Sequence, residues 1–425
     1  MLLLYLIVFV IFYSASKVKN KPTFKVIILL YLTSIICACV LWYFFPEATR
    51  KYPLYFPGII YHIIVLVVMM MPLRRYDRIL APEKISLSYK TLRPFMIGLV
   101  VLSLISIVSS FYTYSIILSS GVSILEGRVM SFQGESFMRI VKPSGSILAH
   151  ISTIASEFSY LALFFAFYIA VKFPSHKRMI IALLISSLTA VFFQLEWFGR
   201  ENIVRYFLDG AIVLVLFTPL LSNSFKKKIK RSIVIITFLF GGMFAAITLG
   251  RFGEDTGYEE GPVYSVLSYL GQGFYNFSPI FRAYNGFEGR TNGKTIFAIF
   301  YDEAERGSVY NTAASYSGPI DIPHNVFGTY VCSFVSDLGA IPAIIPFVFL
   351  TIFFLMVSHM KPDNIFTYIY VLWIYRFFTQ GVFYWVDNLV TGDRILCFML
   401  VFFLHFLYSI RKRKYRIPQY SNIST

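Results

Sequence analysis

Long apolar runs alternate with short polar segments along most of the 425-residue chain. Runs of roughly 17–24 apolar residues match the thickness of a bilayer's hydrocarbon core and predict about eleven membrane-spanning helices. Two prolines, Pro342 and Pro346, predict a kink or a break in the run that ends at residue 358. The predicted spans are 1–14, 25–45, 56–72, 95–119, 149–172, 179–197, 203–222, 233–250, 335–358, 366–385 and 394–410.

One polar interval is much longer than the others and occupies residues 251–334. Apolar spans flank it on both sides, and it is rich in glycine, tyrosine and phenylalanine. We predict that it forms a large loop on one face of a membrane. Within it, residues 263–281 have mixed apolar character, which predicts a helix along the membrane interface.

The composition supports a membrane protein. Hydrophobic residues make up 57% of the chain and charged residues 14%, whereas soluble domains average about 25% charged residues. We predict an all-α, polytopic integral membrane protein in which residues 1–425 form a single membrane domain. The four cysteines, Cys37, Cys39, Cys332 and Cys397, have no metal-site or disulfide spacing and are interpreted as buried apolar residues.

The distribution of lysine predicts the orientation of the chain. Lysines concentrate in alternate short loops and in the basic tail at 411–425, and such loops face the cytoplasm. The N-terminus is then outside, the C-terminus inside, and the interval 251–334 extracytoplasmic. The net charge of +16 follows from this asymmetry, and no nucleic-acid-reading motif accompanies it, so we do not expect nucleic-acid binding.

The loops predicted to face outward contain few lysines but several arginines, which topology does not require there. Guanidinium groups bind phosphate and carboxylate through paired hydrogen bonds and stay charged at any pH. As a group they suggest an anionic ligand, although any one of them can equally be surface charge or part of a local ion pair. They are Arg128, Arg139, Arg200, Arg251, Arg282, Arg290 and Arg306.

Four of the ionisable residues inside predicted spans or at their ends stand out: Glu157, Glu196, Asp209 and Arg376. Charge at membrane depth is costly and therefore indicates function or pairing. One interpretation is a structural ion pair, for example between Glu157 and Arg376. The other is a polar cavity that is open to the outer face and has Arg376 at its floor.

The hairpin at 196–205 is a second dense cluster of charged residues, near the predicted outer face. A span ends there, turns at Gly199 and returns as a helix, so that Arg200 lies near the helix N-terminus and Arg205 about one turn deeper. Free backbone N–H groups and the helix dipole favour an anion at such a position.

Several catalytic motifs are absent. The chain has no P-loop, no Rossmann glycine fingerprint and no H-E-x-x-H sequence, which argues against ATP-driven transport and zinc proteolysis. Acidic clusters at 254–255, 259–260 and 302–305 could bind a divalent cation, but a solvated loop surface is the simpler interpretation. We therefore predict no metal and no cofactor.

Two short segments resemble the O-antigen polymerase (Wzy-type) family, the oligosaccharide repeat-unit polymerases. The first is Phe198-Gly199-Arg200 before a returning helix. The second comprises Pro323, Asn325, Tyr330, Asp337 and Gly339. Members of that family have ten to fourteen spans, a large outer loop in the C-terminal half, and an arginine after a glycine or serine at an outer hairpin.

The resemblance implies a reaction. A glycan on undecaprenyl pyrophosphate is the donor, a hydroxyl of a second lipid-linked repeat unit attacks its anomeric carbon, and lipid pyrophosphate departs. Fixed positive charge is needed where the pyrophosphate leaves. The expected arginines are Arg200, Arg205, Arg251, Arg282 and Arg376.

The attacking hydroxyl needs a general base. His324 is the first candidate, with a local loop hydrogen bond as its alternative role, and Asp337 and Glu196 are the other candidates. Asn325 and Tyr330 are expected to contact the pyrophosphate or the glycan.

The expected activity is polymerisation of repeat units into O-antigen or capsular polysaccharide at the outer face of a bacterial inner membrane. A chain-length regulator and a flippase for lipid-linked sugars are the expected protein partners. Three alternatives remain: an O-antigen ligase-like transferase, a flippase or transporter of lipid-linked sugars, and a structural subunit of a secretion machine.

Overall fold

The computed structural model describes most of the chain, and its described residues are mostly helical without any strand. They are residues 1–16, 21–79, 88–123, 126–127, 138–143, 146–196, 201–224, 226–227, 231, 238, 242, 261–290, 293, 328–361, 364–383 and 393–414. The helices are α1 (Leu2–Ala15), α2 (Pro22–Phe44), α3 (Pro46–Thr49), α4 (Phe56–Met70), α5 (Leu73–Ile79), α6 (Tyr89–Ser120), α7 (Met138–Val141), α8 (Ile147–Glu157), α9 (Ser159–Lys172), α10 (Lys177–Ser187), α11 (Thr189–Leu195), α12 (Glu201–Phe217), α13 (Gly261–Ala283), α14 (Tyr330–Leu338), α15 (Ile344–Val357), α16 (Ile365–Gly381) and α17 (Asp393–Lys414).

Several of these helices are suited to a membrane. Five described helical stretches are long and apolar enough to cross one, or six if the bent pair α8–α9 is a single span. Shorter apolar helices lie at Leu2–Ala15, Ile344–Val357 and Met399–Ser409. The chain thus has the architecture of a multi-pass helical membrane protein. The described helices do not reach the predicted count of about eleven spans, and the predicted span at 233–250 lies almost wholly outside the described residues.

Side chains at helix starts satisfy backbone N–H groups that have no partner within the helix. Asn364 caps α16 by accepting from the Phe366 N–H at 3.0 Å. Helix α2 is capped from a distance, because the Asp77 carboxylate on α5 accepts the backbone N–H groups of Thr23 at 3.0 Å and Phe24 at 3.3 Å. The start of α2 is therefore determined by tertiary contact as well as by Pro22 in its first turn.

Helix α16 lies at the centre of the described bundle. Every residue in it except Ile365 and Trp373 is buried, as is typical of a helix that is surrounded on all sides. It contacts α2 and α15, and also α9 and α12. Since α16 carries Arg376, this position brings a charged side chain into the interior of the bundle.

Helix α13 confirms the helix predicted within the polar interval, but its packing differs from the prediction. It packs along α2 and also contacts α4 and α14. Phe274, Phe277 and Ile280 are fully buried on one side of it. The reason is the close approach that glycine allows, since a β-carbon on Gly271 would lie 2.5 Å from the backbone nitrogen of Ala38. Residues 251–334 therefore do not form one continuous loop.

The break predicted within 335–358 is confirmed, although the helix begins earlier, at Tyr330. Helix α14 ends at Gly339, whose φ of 90° favours glycine. Residues 284–290 cross this break: the Ala340 N–H donates to the Tyr284 carbonyl at 2.8 Å and the Arg290 N–H donates to the Ser336 carbonyl at 2.7 Å. The break is therefore held by backbone contacts rather than by proline alone.

A pair of glycine substitutions tests the α2–α13 contact. We expect Gly271→Ala to destabilise the protein by roughly 1–3 kcal/mol, because the added methyl group overpacks the crossing. Gly98→Ala in α6 is the matched control, since nothing lies within 4 Å of its β-carbon position. Thermal unfolding of both purified variants in detergent measures the difference. Equal melting temperatures for the two variants would contradict the close crossing.

Candidate functional site

The centre of the candidate site is a bend between α8 and α9. The two helices meet at Phe158 with an angle of 48° between them. Such a break leaves carbonyl oxygens without helical N–H partners. The Ser159 hydroxyl donates to the Ser156 carbonyl at 2.7 Å, and Arg376 Nη1 donates to the Glu157 carbonyl at 2.8 Å.

Arg376 also forms an ion pair with the residue at the end of α8. Its Nη1 lies 3.0 Å from Glu157 Oε2, and both side chains are almost completely buried. The guanidinium carbon stands 5.1 Å from the centre of the Tyr160 ring, within the range of a cation–π contact. A cation is favourable at the C-terminal end of a helix, where the dipole is negative. The predicted pairing of Glu157 with Arg376 is therefore confirmed.

A small cavity with room for about one water molecule lies beside this ion pair, between α9, α10, α11, α12 and α16. Its charged lining residues are Arg205, Asp209 and Arg376. Its other polar lining comes from Ser159, Tyr160, Ser187, Asn202 and Tyr206. The structure thus brings two of the predicted anion-binding arginines, Arg205 and Arg376, to one cavity, and each is only 6% exposed.

Asp209 completes the charged group at this cavity. It lies four residues after Arg205 on α12, so the two side chains share a helix face. It interacts electrostatically with Arg376, Arg205 and Glu157. The cavity is therefore lined by opposite charges that largely compensate one another, which limits what an anion could gain there without a further change.

A second buried ion pair joins Lys142 to Glu196. The Lys142 ammonium nitrogen lies 2.6 Å from Glu196 Oε1, and both side chains are 0% exposed. The Ser110 hydroxyl on α6 also donates to Glu196 Oε1. Burial lowers the pKa of Lys142, whereas the Glu196 carboxylate opposes that shift. This geometry ties the segment before α8 to α6 and to the end of α11, and it disfavours Glu196 as an accessible base.

A buried histidine joins three segments that lie far apart in the sequence. His62 on α4 is hydrogen-bonded through Nδ1 to the Tyr5 hydroxyl at 2.8 Å and through Nε2 to the Thr329 hydroxyl at 2.7 Å. Its ring stacks on Phe277 with centroids 4.1 Å apart. Thr329 is the residue before α14. His62 therefore anchors the start of α14 and occupies both of its ring nitrogens in doing so.

The other predicted site residues that the structure describes do not line this cavity. Arg282, near the end of α13, is exposed. Tyr330 is fully buried, with its ring centroid 4.8 Å from that of Phe377. Asp337 is 2% exposed, and its carbonyl accepts from the Gly293 N–H at 3.2 Å. These positions favour structural roles for Tyr330 and Asp337. Four predicted residues lie outside the described residues: Arg200, Arg251, His324 and Asn325.

Lys142 and His62, the basic residues of the second and third of these networks, were not among the sequence predictions. The sequence does set Lys142 apart, because it is a lysine in a loop that is predicted to face outward, where lysines are few. His62 carries none, since a single histidine in an apolar span does not reveal its partners. Among the described residues, no three His, Cys, Asp or Glu side chains are grouped to hold a metal ion. The three acidic clusters lie outside the described residues.

Comparison with known proteins adds no relative. No family model, no curated protein and no solved structure matches this chain. The function is therefore argued from the chain's own residues.

If the Lys142–Glu196 ion pair stabilises the fold, single and double substitutions at these two residues should change the free energy of unfolding differently. We expect Lys142→Met to cost about 3–5 kcal/mol of stability, because it leaves a carboxylate buried without its cation. The double variant Lys142→Met with Glu196→Gln should recover most of that loss, since it removes both charges. The deficit of the single variant should also shrink as pH falls, because protonation of Glu196 removes the uncompensated charge.

Thermal unfolding of the three proteins in detergent across pH measures this pattern. A single variant as stable as the unsubstituted protein, or a double variant no better than the single, would show that the pair does not hold this region together.

Proposed function

We propose that this chain is a membrane glycosyltransferase that polymerises oligosaccharide repeat units carried on undecaprenyl pyrophosphate. The reaction takes place at the outer face of the bacterial inner membrane, with the N-terminus outside and the C-terminus inside. The lysine-rich alternate loops support this orientation, and the apolar helices support a multi-pass membrane protein. The resemblance of the hairpin at 198–200 and of the segment at 323–339 supports the choice of reaction.

The observation that carries the proposal is the cavity lined by Arg205 and Arg376. Guanidinium groups form paired, charge-assisted hydrogen bonds to phosphate oxygens. Held in a water-poor interior before the reaction begins, they would stabilise the negative charge that develops on a departing pyrophosphate. No nucleotide fold is needed, because the donor is already activated as a lipid pyrophosphate.

The size of the cavity limits what it would hold. It has room for about one water molecule, far less than the roughly 300–1,000 Å³ that is usual for small-molecule sites. Entry of a pyrophosphate group between Arg205 and Arg376 therefore requires the helices that line the cavity to move apart. In this proposal the glycan and the polyprenyl chain lie outside the cavity, where Arg200, Arg251, Asn325 and the exposed Arg282 remain candidates for contact.

The proposed chemistry is a single displacement at the anomeric carbon. The acceptor hydroxyl oxygen forms the new glycosidic bond, the bond to the pyrophosphate oxygen breaks, and a general base takes the hydroxyl proton. His324 remains our first candidate for that base. Asp337 and Glu196 are weaker candidates, because both are buried in contacts that hold helices together. The proposed partners are the lipid-linked substrates, a chain-length regulator and a flippase.

A flippase or transporter of lipid-linked sugars is the second candidate function, and one observation favours it. The α8–α9 pair is bent by 48°, and the bend is bordered by Glu157 and Arg376. Discontinuous helices with charged groups at the break are a feature of transporter binding sites. A ligase-like transferase differs from a polymerase only in its acceptor, which an assay with two acceptors distinguishes.

Loss of the Arg205 guanidinium tests the proposed pyrophosphate site. We expect Arg205→Lys to lower polymer formation about 10- to 100-fold, because a charged hydrogen bond of roughly 1.5–3 kcal/mol is lost while the charge remains. The control is Arg50→Lys: Arg50 is an exposed arginine that donates to the Trp42 carbonyl and lies away from the cavity lining.

The assay uses purified protein in liposomes with lipid-linked repeat units and scores both polymer and free undecaprenyl pyrophosphate. Unchanged polymer yield in Arg205→Lys would refute the pyrophosphate site. Movement of intact repeat units across the bilayer without polymer or free pyrophosphate would instead establish the transporter.

A further inference from the structure

The exposed face of the stretch Phe56–Ile79 changes character along its length. This stretch comprises α4 and α5 and is one of the candidate membrane spans. Its exposed side chains recur at the spacing of a single helix face. From residue 58 to residue 79 they are Ile64, Val68, Met71, Arg75 and Arg78. The face is therefore apolar over most of the span and cationic at its end, which is the level expected for lipid headgroups.

Helix α15, which contacts α4, repeats this pattern. Phe349, Ile352 and Met356 are exposed and share one face of the helix. His359 follows at the same spacing and is exposed, as is Lys361 two residues further on. The two neighbouring helices thus each present a stripe of exposed apolar side chains that ends in basic residues.

A hydrogen bond joins the basic ends of the two stripes. Arg75 Nη1 donates to His359 Nε2 at 2.9 Å, and His359 Nδ1 donates to the Leu355 carbonyl at 2.8 Å. Because Arg75 has only donors and a carbonyl can only accept, the imidazole carries its proton on Nδ1 and is neutral. His359 therefore holds Arg75 in position without cancelling its positive charge.

Helix α5 is fixed in place by contacts with two other helices. Tyr76 is fully buried, and its hydroxyl donates to the Phe354 carbonyl of α15 at 2.6 Å. Asp77, the only carboxylate of α5, accepts N–H groups at the start of α2. In the part of the chain that the structure describes, Arg75 and Arg78 have no carboxylate within ion-pair distance. An anion therefore meets positive charge that is already positioned, which reduces the cost of binding.

We propose that Arg75, Arg78 and Lys361 bind the phosphate of an anionic phospholipid whose acyl chains lie along the apolar stripes of α4 and α15. Guanidinium groups form paired hydrogen bonds to phosphate oxygens. A lipid is favoured over a soluble phosphate, because the cations lie at the ends of two apolar stripes and both parts of a lipid meet a matching surface. A net negative headgroup is favoured over a zwitterionic one, because Asp77 is engaged with α2 and would not hold an ammonium group. This lipid site goes beyond the proposed glycosyltransferase function and does not depend on it.

Native mass spectrometry of the purified protein in a neutral detergent tests the site. Titrations with dimyristoyl phosphatidylglycerol and dimyristoyl phosphatidylcholine compare a negative headgroup with a zwitterionic one on the same acyl chains. We expect the first phosphatidylglycerol to bind at least about tenfold more tightly, because each basic residue near a membrane surface contributes roughly fivefold. Equal affinities for the two lipids would overturn the proposal, a result that does not depend on how any variant folds.

A double variant locates the site. Arg75→Gln with Arg78→Gln should bind phosphatidylglycerol roughly 25-fold more weakly and phosphatidylcholine as before. The matched control is Lys177→Gln with Arg178→Gln, which removes the same charge from exposed residues at the start of α10 and should leave both affinities unchanged. An unchanged affinity in the first variant, or an equal loss in the control, would show that these arginines do not form a site.

Glycerol 3-phosphate distinguishes a lipid from a soluble phosphate. It carries a phosphate without acyl chains, so it should not displace phosphatidylglycerol at concentrations at which the lipid saturates the protein. Displacement at such concentrations would overturn the lipid assignment. Because Arg75 and Arg78 are both exposed, their double variant should also melt at about the temperature of the unsubstituted protein in lipid-free detergent, which separates a loss of binding from a loss of fold.

Discussion

The contact between Arg376 and the end of α8 is the interaction on which the polar interior depends. A helix break inside an apolar bundle exposes carbonyl groups that neither lipid nor apolar side chains can satisfy. Arg376 donates to the carbonyl of Glu157 and pairs with its carboxylate. Because Arg376 is carried by α16, in which all but two residues are buried, the break is held from the centre of the bundle.

The same contact limits the chemistry that the interior can perform. One guanidinium edge of Arg376 is engaged by Glu157, and Asp209 interacts with Arg205 as well as with Arg376. The arginines are therefore held by carboxylates, and binding of an anion has to displace or neutralise negative charge.

Two further polar networks join segments that are distant in the chain. The Lys142–Glu196 pair connects the segment before α8 with the end of α11, and His62 connects α1 and α4 with the start of α14. Each is buried and has little tolerance for loss of a single partner. The first network holds the end of α11 and the segment that precedes α8. The second holds the residue that precedes α14.

The sequence by itself determined that the chain is helical and suited to a membrane, because apolar run length and charge content depend only on local composition. It also offered the pairing of Glu157 with Arg376 as one of two interpretations, and it predicted a break near Pro342. It missed the packing of α13 against α2, because that contact depends on Gly271 meeting the backbone of a helix more than two hundred residues earlier.

Only the tertiary structure decided which charged residues meet. Arg205, Asp209 and Arg376 share one cavity while Arg282 is exposed and Tyr330 and Asp337 are buried in helix contacts. Lys142 pairs with Glu196, although the position of Lys142 in the sequence did not identify it as the partner of Glu196. The physical reason is that a buried charge is stabilised by whichever opposite charge folding brings within a few ångströms, and that distance is not encoded in spacing along the chain.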